Sequence, residues 1–149
     1  MKHAPHVAVA LLLLAPAAQA TGFSIEPIGE PGNYMGCVAI DGETEMGFVG
    51  VAQTIAVIAH SKLLRLRKGD AVDGTWNIDG AAEQKLDAKT DTADTVSAGL
   101  PATPATLALL ANGNAFSVTM GATSVEWSLE GSSKALKDLG ACMDKNVKP

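Results

Sequence analysis

Histidine and cysteine are scarce in this chain of 149 residues, which contains three histidines and two cysteines. His3 and His6 lie in an N-terminal stretch that we expect to be removed, which leaves His60 as the mature protein's only histidine. A zinc or copper site needs several nitrogen or sulfur ligands. The scarcity argues against a metal site of ordinary ligand set, and we expect no metal and no cofactor.

Patterns that mark catalytic sites are also missing. His60-Ser61 has no Gly-x-Ser-x-Gly elbow, so a partly exposed histidine at a strand end explains it better than a hydrolase site. Asp70, Asp73 and Asp79 lack the alternating spacing of a calcium loop and fit turn positions. Aromatic residues make up only 4% of the chain, which is low for a sugar-binding cleft. No pattern in the sequence singles out two of the acidic residues as the carboxylate pair that a glycosidase needs. We therefore predict no catalytic residues and no enzyme activity.

No apolar run is long enough to cross a membrane. The longest, Val7–Leu14, is too short to span about 30 Å of hydrocarbon as a helix. It follows Lys2 and precedes Ala18-Gln19-Ala20, the small-x-small pattern that signal peptidase reads. We predict a cleaved signal over residues 1–20 and a single β-rich domain over 21–149, without a transmembrane segment. The protein would then be periplasmic or secreted.

Positive charge is in deficit. Loss of Lys2 with the signal leaves 10 basic residues against 16 acidic ones, a net charge of −6. Such a chain has no electrostatic reason to bind nucleic acid or an anionic membrane surface. The two cysteines, Cys37 and Cys142, would meet in an oxidising compartment. There, a pair is more often a disulfide than two free thiols.

Short apolar bursts separated by turn residues predict strands. The run from Met46 to His60 is apolar on both faces, which predicts strands that are buried on both sides or covered by a helix. A buried helix over 46–60 is the competing interpretation, although β-branched residues, Gly47 and Gly50 favour strands. The predicted strands are Gly22–Ile28, Tyr34–Ile40, Met46–Ala52, Thr54–His60, Leu64–Arg67, Val72–Ile78, Ala115–Met120 and Ser124–Leu129, with Glu83–Lys89 as a polar edge strand.

Thr90–Ala98 reads as a mobile surface loop. Thr103-Pro104 starts a short helix near 104–112. Gly131-Ser132 starts a C-terminal helix through about Lys145, whose apolar stripe includes Leu139 and Cys142. The predicted fold is mainly β. It is a single antiparallel sandwich or half-barrel domain with a short helix near 104–112, a C-terminal helix and one disulfide between Cys37 and Cys142.

Positive charge is concentrated in one segment. Lys62, Arg65, Arg67 and Lys68 place four cations within seven residues of an acidic chain. The functional interpretation is a site for an acidic protein partner or a small anionic ligand. The alternative is the solvated face of an edge strand, where charge blocks pairing with another sheet.

Two stretches resemble the invasion-associated locus B family of small secreted bacterial proteins. Ser128-Leu129-Glu130-Gly131 followed by Ala135-Leu136 is similar to the end of that family's domain, and Leu66–Asp70 followed by Ile78-Asp79-Gly80 is similar to its central hairpin. The resemblance covers about a third of the chain, and the additional internal cysteines usual in the family are missing. An uncharacterised periplasmic family of the same architecture is the alternative. The resemblance implies a compact β domain with short helices and no catalytic residues.

The leading functional hypothesis is a non-catalytic periplasmic or secreted binding or interaction protein. A structural or accessory subunit of a cell-envelope assembly is the alternative, and an enzyme of unknown class ranks third.

We predict that the protein is exported and that its mature chain begins at or near Thr21, because signal peptidase cleaves after a pattern such as Ala18-Gln19-Ala20. Intact-mass measurement on protein from its native host checks this. A full-length cytoplasmic species that still carries Met1 would contradict it.

Overall fold

The computed structural model describes residues 22–90 and 92–147, with residues 87–89 described only in their backbone. The predicted signal over residues 1–20 lies outside these residues. In the described part of the chain, nine strands and two α-helices follow in this order: β1 Ser24–Glu30, β2 Asn33–Asp41, β3 Met46–Val51, β4 Thr54–His60, β5 Ala71–Ile78, β6 Gln84–Lys89, β7 Thr95–Pro101, α1 Pro104–Asn112, β8 Ala115–Met120, β9 Thr123–Ser128 and α2 Ser132–Asn146.

The strands form two antiparallel sheets around a common core. The larger sheet has the order β1-β2-β3-β4-β7, and the smaller one has the order β6-β5-β8-β9. In β3, β4, β7 and β8 every second residue faces inward, so Phe48 and Val57 of the larger sheet share a core with Phe116 and Val118 of the smaller one. The mainly β, sandwich-like prediction is confirmed, and the run 46–60 forms strands rather than a helix.

The C-terminal helix is fixed to the inner face of the larger sheet. A disulfide joins Cys37 of β2 to Cys142 of α2, with the two Cα atoms 6.2 Å apart. Leu139 and Met143 of α2 lie next to Gly50 of β3, where a larger residue would meet their side chains. The buried Ser132 hydroxyl donates to Leu110 O at 2.7 Å and so links α2 to α1. The predicted disulfide and both helices are confirmed.

The prediction of a loop over residues 90–98 is wrong from Thr95 onward. Residues 95–101 form β7, which pairs with β4 along its whole length. Val96, Ala98 and Leu100 are buried in the core, whereas Ser97 and Gly99 face outward. The alternation is regular, but small and polar residues between the apolar ones weaken its signal in the sequence.

The predicted strand over Leu64–Arg67 is also wrong. Lys62–Leu64 is a short 3₁₀ turn, and Arg65 adopts a left-handed conformation (φ 53°) that no strand allows. The alternation that suggested a strand is present, because Leu64 is buried and Leu66 half-buried between exposed Arg65 and Arg67. Since the segment is not a sheet edge, protection of an edge does not explain its charges.

The two sheets differ in their outer faces. Thr119 and Ser124, as well as Ser117 and Glu126, are hydrogen-bonded across β8 and β9 on the outer face of the smaller sheet. The outer face of the larger sheet is mainly apolar, and none of the described helices or strands covers it; Ile40 on this face is 48% exposed. Burial of β3 and β4 on both sides is therefore not observed, because α2 covers only the inner side. No helix among the described residues has the length and apolarity to cross a membrane.

Loss of the disulfide should lower the free energy of unfolding by about 2–5 kcal/mol, as for native disulfides in small secreted domains. The bond closes a long loop, because its cysteines are separated by 105 positions in the sequence. Urea denaturation of the Cys37→Ala/Cys142→Ala variant measures the loss without placing a hydroxyl in the core. Thiol labelling of the unreduced, denatured wild-type protein should find no free thiol; two labelled thiols would contradict the bond.

Candidate binding loop

The candidate site is the segment Lys62–Lys68, here called the basic loop, which connects β4 to β5. Its four cationic side chains, Lys62, Arg65, Arg67 and Lys68, are all exposed. Leu64 is only 5% exposed and anchors the loop in the core. The structure thus brings the four predicted site residues together on one short surface segment.

The loop begins with a side-chain cap. The Ser61 hydroxyl accepts a hydrogen bond from Leu63 N at 3.3 Å, and Leu64 N donates to Ser61 O at 3.0 Å. These bonds close the 3₁₀ turn and use the Ser61 side chain for structure. The left-handed Arg65 then turns the chain back toward the sheet.

Asp94 clamps the middle of the loop from across the fold. Its Oδ1 accepts from Leu66 N at 2.9 Å, and its own N–H donates to Leu66 O at 3.1 Å. Its carbonyl oxygen accepts from Ser61 N at 2.8 Å. One residue therefore fixes both the start and the centre of the basic loop.

Thr90 and Asp70 hold the end of the loop. Thr90 is only 2% exposed; its hydroxyl lies 2.7 Å from Arg67 O and 3.1 Å from Asp70 O, and its backbone oxygen accepts from Gly69 N. Asp70 Oδ2 accepts from Arg67 N at 2.9 Å, and Asp70 N donates to Arg67 O. Thr90 and Asp94 could not be identified from the sequence as residues that hold the basic loop. No local sequence pattern marks a residue that forms hydrogen bonds with a segment more than twenty positions away.

The cations of the loop have no acidic partner in the described part of the chain. The ion pair found there joins Lys134 to Asp138 on α2, away from the loop. Arg65 and Arg67 are the only arginines of the chain. A guanidinium presents a planar set of donors that matches a carboxylate or a phosphate in a bidentate manner. The loop can therefore bind anionic groups without breaking an existing ion pair among these residues.

Both the side chain and the backbone of His60 are hydrogen-bonded to neighbouring parts of the fold. Its Nδ1 lies 3.0 Å from the Thr95 hydroxyl, which itself lies 3.2 Å from Ala93 O. The backbone oxygen of His60 accepts from Trp127 Nε1 at 3.1 Å, so the end of β4 is tied to β9. The Ser61 hydroxyl is engaged as a cap, and the described residues contain no group of three or more His, Cys, Asp or Glu placed to hold a metal ion.

Three surface cavities lie elsewhere. Two adjoin α1 and share Ile78, Ala81 and Leu109, with volumes of about 320 and 620 Å³ and a mainly apolar lining. The third, of about 400 Å³, lies between Phe23 and the start of α2. None of the four basic side chains lines any of these three cavities. The four basic side chains are exposed on the surface of the domain.

Comparison with known proteins adds no assignment. No family model, no curated protein and no solved structure matches the chain. The resemblance to the invasion-associated locus B family stays a prediction.

Removal of the Asp94 carboxylate should loosen the basic loop. We expect Asp94→Gly to lower the free energy of unfolding by about 1–2 kcal/mol, because Leu66 N loses its acceptor. Hydrogen exchange of the Leu66 amide should accelerate. Asp94 has a positive φ of 57°, which glycine adopts without strain, so the loss reports the carboxylate. Asp94→Asn keeps an acceptor and tolerates this φ; equal exchange rates for Leu66 in both variants would contradict the clamp.

Proposed function

We propose that this protein is a non-catalytic periplasmic or secreted binding protein that recognises an acidic partner through its basic loop. The observation that carries the proposal is the combination of exposed cations with a backbone fixed by Ser61, Thr90 and Asp94. A preorganised loop loses little conformational freedom when it binds, and binding then keeps more of its electrostatic gain.

The sign of the local charge supports the proposal. The loop is basic, whereas the chain as a whole has a net charge of −5. An acidic partner would be repelled by most of the surface and attracted at this loop. Such a field orients the encounter and raises the association rate more than it raises the affinity.

The disulfide supports a location outside the cytoplasm. Bonds of this kind form and persist in oxidising compartments and are rare where thiols are kept reduced. Cys37 is fully buried and bonded to Cys142, and no free cysteine is present among the described residues. This agrees with an exported protein of the periplasm or the medium.

A structural or accessory subunit of a cell-envelope assembly is the second candidate. The uncovered apolar outer face of the larger sheet favours it, because a subunit must bury such a face against a neighbour. Co-purification of the untagged protein with an envelope complex would support this function. Its recovery free of any complex would count against it.

Neutralising the two arginines tests the binding function. We expect Arg65→Gln/Arg67→Gln to elute from immobilised polyglutamate at lower salt than wild type. The same variant should capture less of any acidic protein from native periplasmic extract. Association with a captured partner should slow about three- to tenfold. The wild-type interaction should weaken as salt rises past about 0.15 M, where the screening length is roughly 8 Å.

The matched control is Lys137→Gln/Lys145→Gln, which removes the same charge from exposed positions on α2. It should bind like wild type. Equal loss in the control would mean that net charge alone matters, and binding that ignores both the arginine substitutions and the salt would rule out recognition by the basic loop.

A further inference from the structure

The uncovered face of the larger sheet is built from three rows of residues that follow the strand register. Its apolar side chains include Val38, Ile40, Val49, Val51, Ala56 and Ile58. The middle row runs from Glu26 through Val38, Val49 and Ala56 to Gly99, so that Val49 lies at the centre of the face.

The composition of this face is that of a buried surface. Strands that are apolar on both sides are normally covered on both sides, yet α2 and the smaller sheet lie only on the inner side. Ile40 and Val51 remain 48% and 43% exposed. By contrast, β8 and β9 carry polar side chains on the outer face of the smaller sheet, where the Thr119 and Ser124 hydroxyls are hydrogen-bonded to each other and the Ser117 hydroxyl donates to the Glu126 carboxylate. Ile40 and Val51 thus leave apolar surface exposed in the two rows that flank the middle row of this face.

We propose that a second copy of this chain covers the face. The two larger sheets would pack face to face about a two-fold axis that lies along β3. Each copy's Val49 would then meet its equivalent near the axis, and β1 of one copy would lie over β7 of the other. Such an interface is self-complementary, because the same patch serves both partners.

The area of the face is sufficient for a specific contact. Five strands about 4.8 Å apart and three rows about 6.8 Å apart give a patch of roughly 500 Å². Two such patches bury about 1,000 Å² in total, and the uneven surface of the side chains adds to this flat estimate. A biological interface must reach about 1,000 Å².

The distribution of charge favours a second copy over a charged partner. Glu26 is the acidic side chain of the three rows and lies on β1, at one edge. With the axis along β3, the two Glu26 carboxylates lie at opposite edges of the interface, and each faces the row position of Gly99. Like charges are therefore kept apart, although the chain as a whole is acidic.

The oligomeric state in solution tests the proposal. Sedimentation equilibrium of the exported protein should show a monomer–dimer equilibrium between about 1 µM and about 1 mM. Ile40→Lys and Val51→Lys should each weaken the dimer at least about thirtyfold, because the symmetric interface buries the new charge twice. Both positions are exposed in one copy, so the fold should tolerate lysine there.

Leu109→Lys is the matched control, because Leu109 is 53% exposed on α1, away from the face. It should leave the dimer intact. A wild-type monomer over the whole concentration range overturns the proposal and leaves the face to a different partner or to a membrane surface. A dimer that resists both face substitutions, or that is lost with Leu109→Lys, overturns it as well.

A cross-link provides a second measurement that does not depend on how the lysine variants fold. Val49→Cys would introduce a free thiol next to the two-fold axis, into a protein whose own cysteines are bonded to each other. A bis-maleimide about 10 Å long, which matches the distance between two packed sheets, should give a covalent dimer, whereas Ser124→Cys on the outer face of the smaller sheet should not. Failure of Val49→Cys to cross-link, with Ser124→Cys as reactive toward a small thiol reagent, would contradict the axis along β3.

Discussion

The bond between Cys37 and Cys142 decides on which side of the larger sheet the C-terminal helix lies. With the helix fixed to the inner face, Leu139 and Met143 fill the space beside Gly50, and α1 is held through Ser132. The smaller sheet closes the rest of that face through the shared core. Nothing in the described part of the chain is left to cover the outer face. The exposed apolar surface is therefore a consequence of the same tether that completes the core.

Much of this fold could be predicted from the sequence, because its strands follow a period of two and its helices have local start signals. Thr103-Pro104 marks α1, and the 3–4 spacing of Ala135, Leu139 and Cys142 marks α2. The error at β7 has a physical reason. Val96, Ala98 and Leu100 alternate correctly, but the hydroxyls and small side chains between them are equally typical of loops. Pairing with β4 decides between the two structures, and that pairing is not local.

The basic loop shows the limit of periodicity in a different way. Alternation of Leu64 and Leu66 with Arg65 and Arg67 predicted correctly which side chains face the core, although the predicted strand does not exist. A turn that is held by hydrogen bonds at several positions can point alternate side chains inward and outward, just as a strand does. These hydrogen bonds come from Thr90 and Asp94, which reach the loop only because the chain returns through β6 and β7. The exposure of the cations could be predicted from the sequence; the rigidity of the loop that carries them could not.

Both tryptophans of the chain belong to the smaller sheet, on either side of Phe116, with ring centroids 5.9 and 6.2 Å from it. Trp127 also donates its indole N–H to the backbone of His60, at the end of a strand in the larger sheet. Tryptophan fluorescence therefore reports on the contact between the two sheets. Separation of the two sheets would change the emission directly, because it breaks that hydrogen bond and admits water to the rings. Fraying of β1 or of the end of α2 would leave the signal unchanged, so the protein contains an optical probe of one region of its fold.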